Sequence, residues 1–125
     1  MKFWVLEDDA LAGEVFVRMM RRFLVSDADV LHFEGPAPAF EDFERGHPVF
    51  VLMDTMMVGW TGEEAGTELR RRGYTGFLVD SGAYWPDGYD PSYADAVLEK
   101  PFSMRALRDL VATALGPEVL DPEYR

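Results

Sequence analysis

Five short apolar runs divide this chain at intervals of about 20 to 25 residues, and each is too short to make a helix of its own. They are Phe3-Trp4-Val5-Leu6, Ala28-Asp29-Val30-Leu31, Val49-Phe50-Val51-Leu52-Met53, Phe77-Leu78-Val79 and Ala96-Val97-Leu98. An unbroken apolar run offers no face to water, so it fits a strand covered on both sides. Between the runs the period changes. Leu11, Val15, Phe16, Met19, Met20 and Phe23 recur at spacings of three and four, as do Met104, Leu107, Leu110, Val111, Ala114 and Leu115, which predicts two amphipathic helices. Ser103 is placed to cap the second, and Gly116-Pro117 to stop it. Residues 38–45 predict a shorter helix ending at Gly46, and residues 62–72 a weaker one ending at Gly73, with Ala65 and Leu69 as its apolar anchors.

Strands alternating with helices predict an α/β chain: a doubly wound, five-stranded parallel sheet with right-handed crossovers and helices on both faces. The fourth repeat is the exception. Residues 84–93 contain Pro86, Pro91 and Gly88 and no helical apolar period, so the fourth helix is expected to be short or disrupted. A single domain is expected over residues 1–116, followed by a loosely held tail over 117–125.

Composition narrows the function classes. A net charge of −11 opposes direct binding to nucleic acid or to an anionic membrane surface, and no apolar run approaches the roughly 18 residues of a membrane span. The absence of cysteine removes disulfides, thiolate metal sites and thiol nucleophiles. Arg70-Arg71-Arg72 reads as a solvated helix face, His32 and His47 as surface or turn residues, and Met53, Met56 and Met57 as filler. Gly59-Trp60-Thr61-Gly62 lacks the lysine and the spacing of a phosphate-binding loop.

In a sheet of this kind, ligands bind beyond the carboxyl ends of the strands, where strand order reverses. Four predicted strand ends carry polar groups: Glu7-Asp8-Asp9 after the first, Asp54 after the third, Ser81 after the fourth and Lys100 after the fifth. With strand order 2-1-3-4-5 the first and third ends are neighbours, which brings Asp8 and Asp54 within a few ångströms. Carboxylates that close share either a proton or a cation. Mg²⁺ suits them, because it prefers oxygen ligands and binds through one or two carboxylates plus phosphate oxygens. Lys100 can pair with Asp54 and later with a phosphoryl oxygen, and the Ser81 hydroxyl can donate to another. A nucleophilic carboxylate beside a metal, an ammonium and a hydroxyl meets the needs of phosphoryl transfer.

Leu6-Glu7-Asp8-Asp9, the run from Val49 to Met57 around Asp54, Ser81-Gly82 and Lys100-Pro101-Phe102 together resemble the receiver domains of bacterial response regulators, over about residues 2 to 115. The resemblance implies a flavodoxin-like fold and a cytoplasmic signalling domain, not an enzyme. Asp54 would accept a phosphoryl group from a histidine kinase or phosphotransfer protein, with Mg²⁺ as cofactor. By position, Asp8 would bind Mg²⁺ directly, Glu7 directly or through water, and Asp54 and the backbone carbonyl of Met56 would complete the protein ligands. Ser81 and Lys100 would hold phosphoryl oxygens, and Lys100-Pro101 would be a cis peptide. No output domain is expected after the last helix, so the signal would pass through an unknown partner protein.

Several residues depart from that pattern. Val58 replaces a common proline, Thr61 a common aspartate, and Ser81 the commoner threonine. Asp80 is a carboxylate in an apolar run, so either the strand ends early or Asp80 has a nearby donor. Val97 stands where the family usually has Tyr or Phe, the ring that swings inward on activation. Tyr84, Trp85, Tyr89 and Tyr93 are candidates to replace it, or to cover the core where the helix is lost. These departures keep open an alternative, a phosphorylation-independent pseudo-receiver that acts as a protein-interaction module. An aspartyl phosphohydrolase would need an acid two positions after Asp54, where Met56 stands. With no acid or base at Met56 or Ala83, slow self-hydrolysis is expected.

Overall fold

The computed structural model describes residues 1–125. Its elements in chain order are β1 (Lys2–Leu6), α1 (Ala10–Phe23), β2 (Asp29–Phe33), α2 (Pro36–Phe43), β3 (Phe50–Asp54), β4 (Met56–Met57), β5 (Trp60–Thr61), α3 (Gly62–Arg71), β6 (Phe77–Gly82), β7 (Ala96–Glu99) and α4 (Met104–Leu115). Five strands form one parallel sheet in the order β2-β1-β3-β6-β7, which is the expected 2-1-3-4-5 arrangement. β4 and β5 form a small antiparallel hairpin that the sequence did not announce.

The central strands are apolar on both faces because each face packs on helices. Phe3, Val5, Phe50, Leu52 and Val79 meet Val17, Met20 and Phe23 of α1 and Leu107 and Val111 of α4. The alternate residues Trp4, Leu6, Val51, Met53 and Leu78 meet Phe40 and Phe43 of α2 and Ala65 and Leu69 of α3. This period-two division fixes which side of the sheet each polar residue at a strand end can serve.

Local chemistry sets the helix starts. Asp9 accepts the Leu11 and Ala12 N–H groups, both at 3.0 Å, and fixes where the first strand end turns into α1. Thr61 and Glu64 form a reciprocal capping box at the start of α3. Ser103 caps α4 as expected. α2 begins at Pro36, two residues before the expected start, with that proline in its first turn, where no N–H is needed.

The fourth helix is reduced to a single 3-10 turn, Pro91–Tyr93. The C-terminal segment corrects the expectation of a loose tail. Val119 and Leu120 are buried in the α1–α4 core, and Leu120 bridges Leu24 in antiparallel fashion. The Asp121 N–H bonds the Phe23 carbonyl at 2.8 Å, and Arg125 reaches back to the Leu120 carbonyl at 3.0 Å. Two buried apolar side chains and these hydrogen bonds together hold the segment down.

Candidate functional site

Strand register builds the site. Leu6 pairs with Met53, so Glu7 emerges beside Asp54, and Asp54 itself pairs with Ser81. Gly82 pairs with Glu99, and the Lys100 N–H donates to the Gly82 carbonyl at 2.8 Å, which carries Lys100 to the same edge. Residues 6–8, 54, 81 and 100, distant in sequence, therefore meet at the carboxyl end of the sheet.

Carboxylate oxygens of Glu7, Asp8 and Asp54 lie within 4.8 Å of one another. The Lys100 ammonium donates to Glu7 Oε1 at 2.7 Å and to Asp54 Oδ1 at 3.2 Å. Glu7 is buried, its other oxygen accepts the Asp9 N–H at 3.3 Å, and its backbone carbonyl lies 2.8 Å from His32 Nε2. Asp8 Oδ2 accepts the Val58 N–H at 3.1 Å, tying the β4–β5 turn to the cluster. The Met56 N–H approaches Asp54 Oδ1 at 3.5 Å, so Met56 lies at the mouth. Lys100-Pro101 is cis.

Electrostatics follow from crowding. Burial, then a hydrogen bond to Asp54 and its charge, push the Glu7 carboxyl above the usual carboxylate range, while Lys100 pulls it down. Burial pulls the Lys100 ammonium down, but the Glu7 hydrogen bond and the charges of Asp54 and Glu7 outweigh it and leave its pKa raised. Three carboxylates against one ammonium leave a negative set of hard oxygen donors, and such a set fits Mg²⁺.

Ser81 is brought to the site, but its hydroxyl lies 3.4 Å from the Met53 carbonyl, on the neighbouring strand's backbone. Asp80 resolves the question its sequence position raised. β6 does not end early; Asp80 is fully buried and accepts from Thr55 Oγ1 at 2.7 Å and from Trp85 Nε1 at 3.0 Å. Trp85, Tyr89 and Tyr93 turn inward, whereas Tyr84 is exposed. Val97 is half exposed on edge strand β7. Sequence reasoning missed Thr55, and also His32 as a support for Glu7. A donor one residue after a strand-end aspartate was the available signal for the first.

No family model matches the chain, and no curated protein matches it significantly. Solved structures do. A CheY-like receiver domain from Methylobacillus flagellatus superposes with a TM-score of 0.79 at 17% identity, covering 91% of this chain and 98% of that one. A two-component response regulator from Clostridium difficile gives 0.80 at 13%, covering 92% and 95%. The chain has the response-regulator receiver fold. Another protein of the receiver fold, TrrA of Thermotoga maritima, matches at 0.78 and 22% identity over 91% of this chain and 98% of that one, and its structure is a complex with Mg²⁺-BeF. No helix of this receiver fold is long and apolar enough to cross a membrane.

Proposed function

We propose that this chain is the phosphoacceptor of a two-component phosphorelay, with Asp54 as the nucleophile. An Asp54 oxygen attacks the phosphorus of a phosphohistidine on a kinase or phosphotransfer protein. The P–O bond forms as the P–N bond breaks, and the electron pair returns to the imidazole nitrogen, which takes up a proton from solvent. Glu7, Asp8, Asp54 and the Met56 carbonyl would hold Mg²⁺, whose chemistry is to neutralise charge on the transferring oxygens. Lys100 exchanges its Asp54 contact for a phosphoryl oxygen, and Ser81 turns its hydroxyl from the Met53 carbonyl to another. The setting is cytoplasmic, and the output passes to a partner protein.

The observation that supports this reading most is the Glu7, Asp8 and Asp54 oxygens gathered within 4.8 Å around a lysine shared by two of them. The test is incubation with Mg²⁺ and acetyl phosphate, followed by intact-mass measurement. One added phosphoryl group, lost on Asp54→Asn and on removal of Mg²⁺, is the expected result. An unmodified wild-type chain would sink the reading. Half-exposed Val97 and the 3-10 turn in place of the fourth helix favour the second reading, a phosphorylation-independent interaction module. Equal capture of the same partner by wild type and Asp54→Ala would favour that module.

A further inference from the structure

The carboxylate of Asp80 takes no part in the pocket above, yet it is one residue removed from the pair that would meet the phosphoryl group. Consecutive strand residues point to opposite faces, so Ser81 serves the face of α1 and α4 while Asp80, following Leu78, serves that of α3. Thr55 follows Asp54 and Asp80 precedes Ser81, while Asp54 and Ser81 are register partners. The Thr55 N–H donates to the Ser81 carbonyl at 2.9 Å, and Thr55 Oγ1 donates to Asp80 at 2.7 Å. The two strands are thus cross-tied directly behind the acceptor.

Glycines make room for this cross-tie and for the tyrosines of the following segment. A Cβ on Gly82 would lie 2.3 Å from Thr55 Oγ1. The Tyr89 and Tyr93 hydroxyls bond each other at 2.9 Å, and both lie 2.8 Å from where a Cβ on Gly62 would be. The Tyr93 ring fills the space over Gly66, where a Cβ would come within 2.1 Å of it. Arg70 Nε holds the Tyr93 carbonyl at 3.1 Å. Residues 83–93 are therefore pinned at two places, Trp85 on Asp80 and Tyr93 on α3, with little regular structure between them.

We propose that Asp80 is a positioning residue at the centre of a latch, through which charge placed on Asp54 moves Thr55 and Trp85 and loosens residues 83–93 as the surface presented to a partner protein. The proposal rests on the phosphoacceptor reading. A phosphoryl group draws Ser81 toward Asp54, and the peptide it shares with Asp80 moves with it. Thr55, held by the sheet, stays with Asp80, while Trp85, on the irregular segment, is the donor whose bond gives way. No ring at Val97 is needed.

The test uses the full chain, ¹⁵N-labelled, with Mg²⁺ and beryllofluoride. ¹⁹F NMR reports occupancy of the pocket independently of the latch. The chain has three tryptophans, and Trp85→Phe identifies the Trp85 indole signal. Bound fluoride should come with a shifted Trp85 indole, an unmoved Trp4 indole, and amide exchange over residues 83–93 faster by about tenfold, the scale of one hydrogen bond to a charged group. Asp80→Val should bind beryllofluoride like wild type, with the segment already exchanging fast and unresponsive. Bound fluoride with an unmoved Trp85 indole, or an Asp80→Val segment that behaves as in wild type, overturns the latch. If Asp80→Val does not fold, Trp85→Phe carries the same exchange test. Absence of any bound fluoride in wild type sinks the phosphoacceptor reading and the Asp54 trigger with it. Exchange in the variants without additive then decides the latch alone, and unchanged rates overturn it.

Discussion

The Lys100 ammonium lies 2.7 Å from Glu7 and 3.2 Å from Asp54, so its shorter contact is to the more deeply buried of the two carboxylates. Replacing Lys100 with Met leaves Glu7 buried without its countercharge. The expected loss is about 2–3 kcal/mol, below the 3–5 of a fully buried pair because Lys100 keeps some solvent. Urea unfolding without Mg²⁺ measures it, and millimolar Mg²⁺ should restore part of it. An unchanged midpoint would show that water already compensates Glu7.

Asp8 adds a third carboxylate to a cluster with one ammonium, while its hydrogen bond from Val58 needs only an oxygen. Asp8→Asn keeps that acceptor and removes a charge. The variant should be more stable than wild type by about 0.5–2 kcal/mol in chelator and should lose the stabilisation by Mg²⁺. Paired melting curves with and without the ion decide this, and a destabilised variant would contradict it.

The raised Glu7 carboxyl gives stability a definite pH sign. The folded chain holds the Glu7 proton more tightly than the unfolded chain, so stability rises as pH falls through the folded pKa toward the unfolded value. Lys100 acts at the other end; its contribution is present below the unfolded lysine pKa and fades as pH rises through the higher folded value. In Mg²⁺-free buffer from about pH 8 to about pH 5, wild type should gain on Glu7→Gln as acid is added. A difference that stays flat across the range would contradict the assignment.

Gly13 has a steric reason to be glycine. A Cβ there would lie 2.1 Å from His32 Nε2, on the ring that bonds the Glu7 carbonyl. Gly13→Ala should cost about 1–3 kcal/mol as overpacking, and His32→Ala in the same chain should recover most of it. A strictly additive double mutant would rule out this contact as the cause.

Leu120 is buried against the α1–α4 core. Leu120→Ala should cost about 2–4 kcal/mol in chemical denaturation, as a core truncation does and a frayed tail does not. A cost near zero would restore the loose tail.

The sheet was legible because strands buried on both faces write unbroken runs such as Phe50–Met53, and the polar strand ends then needed only the strand order to converge. What stayed hidden depends on partners distant in sequence. Asp80 appeared to break the fourth run, yet β6 continues to Gly82 because Thr55 and Trp85 satisfy its carboxylate. The β4–β5 turn that presents Val58 to Asp8 relies on Gly59 at φ 78°, a conformation no periodicity reveals. The Ser81 hydroxyl direction is a rotamer choice within a fixed register. Residues 119 and 120 were too short a run to register as core.

Glu7 and Lys100 are 93 residues apart, and Asp54 lies 46 residues before Lys100. They occupy the ends of β1, β3 and β7, so the pocket closes only when the β1–β3, β3–β6 and β6–β7 pairings are all complete. Local helix formation assembles none of it. On the proposed phosphoacceptor reading, competence is thereby a property of the finished sheet, and a misfolded or half-made chain would be silent to a phosphoryl donor.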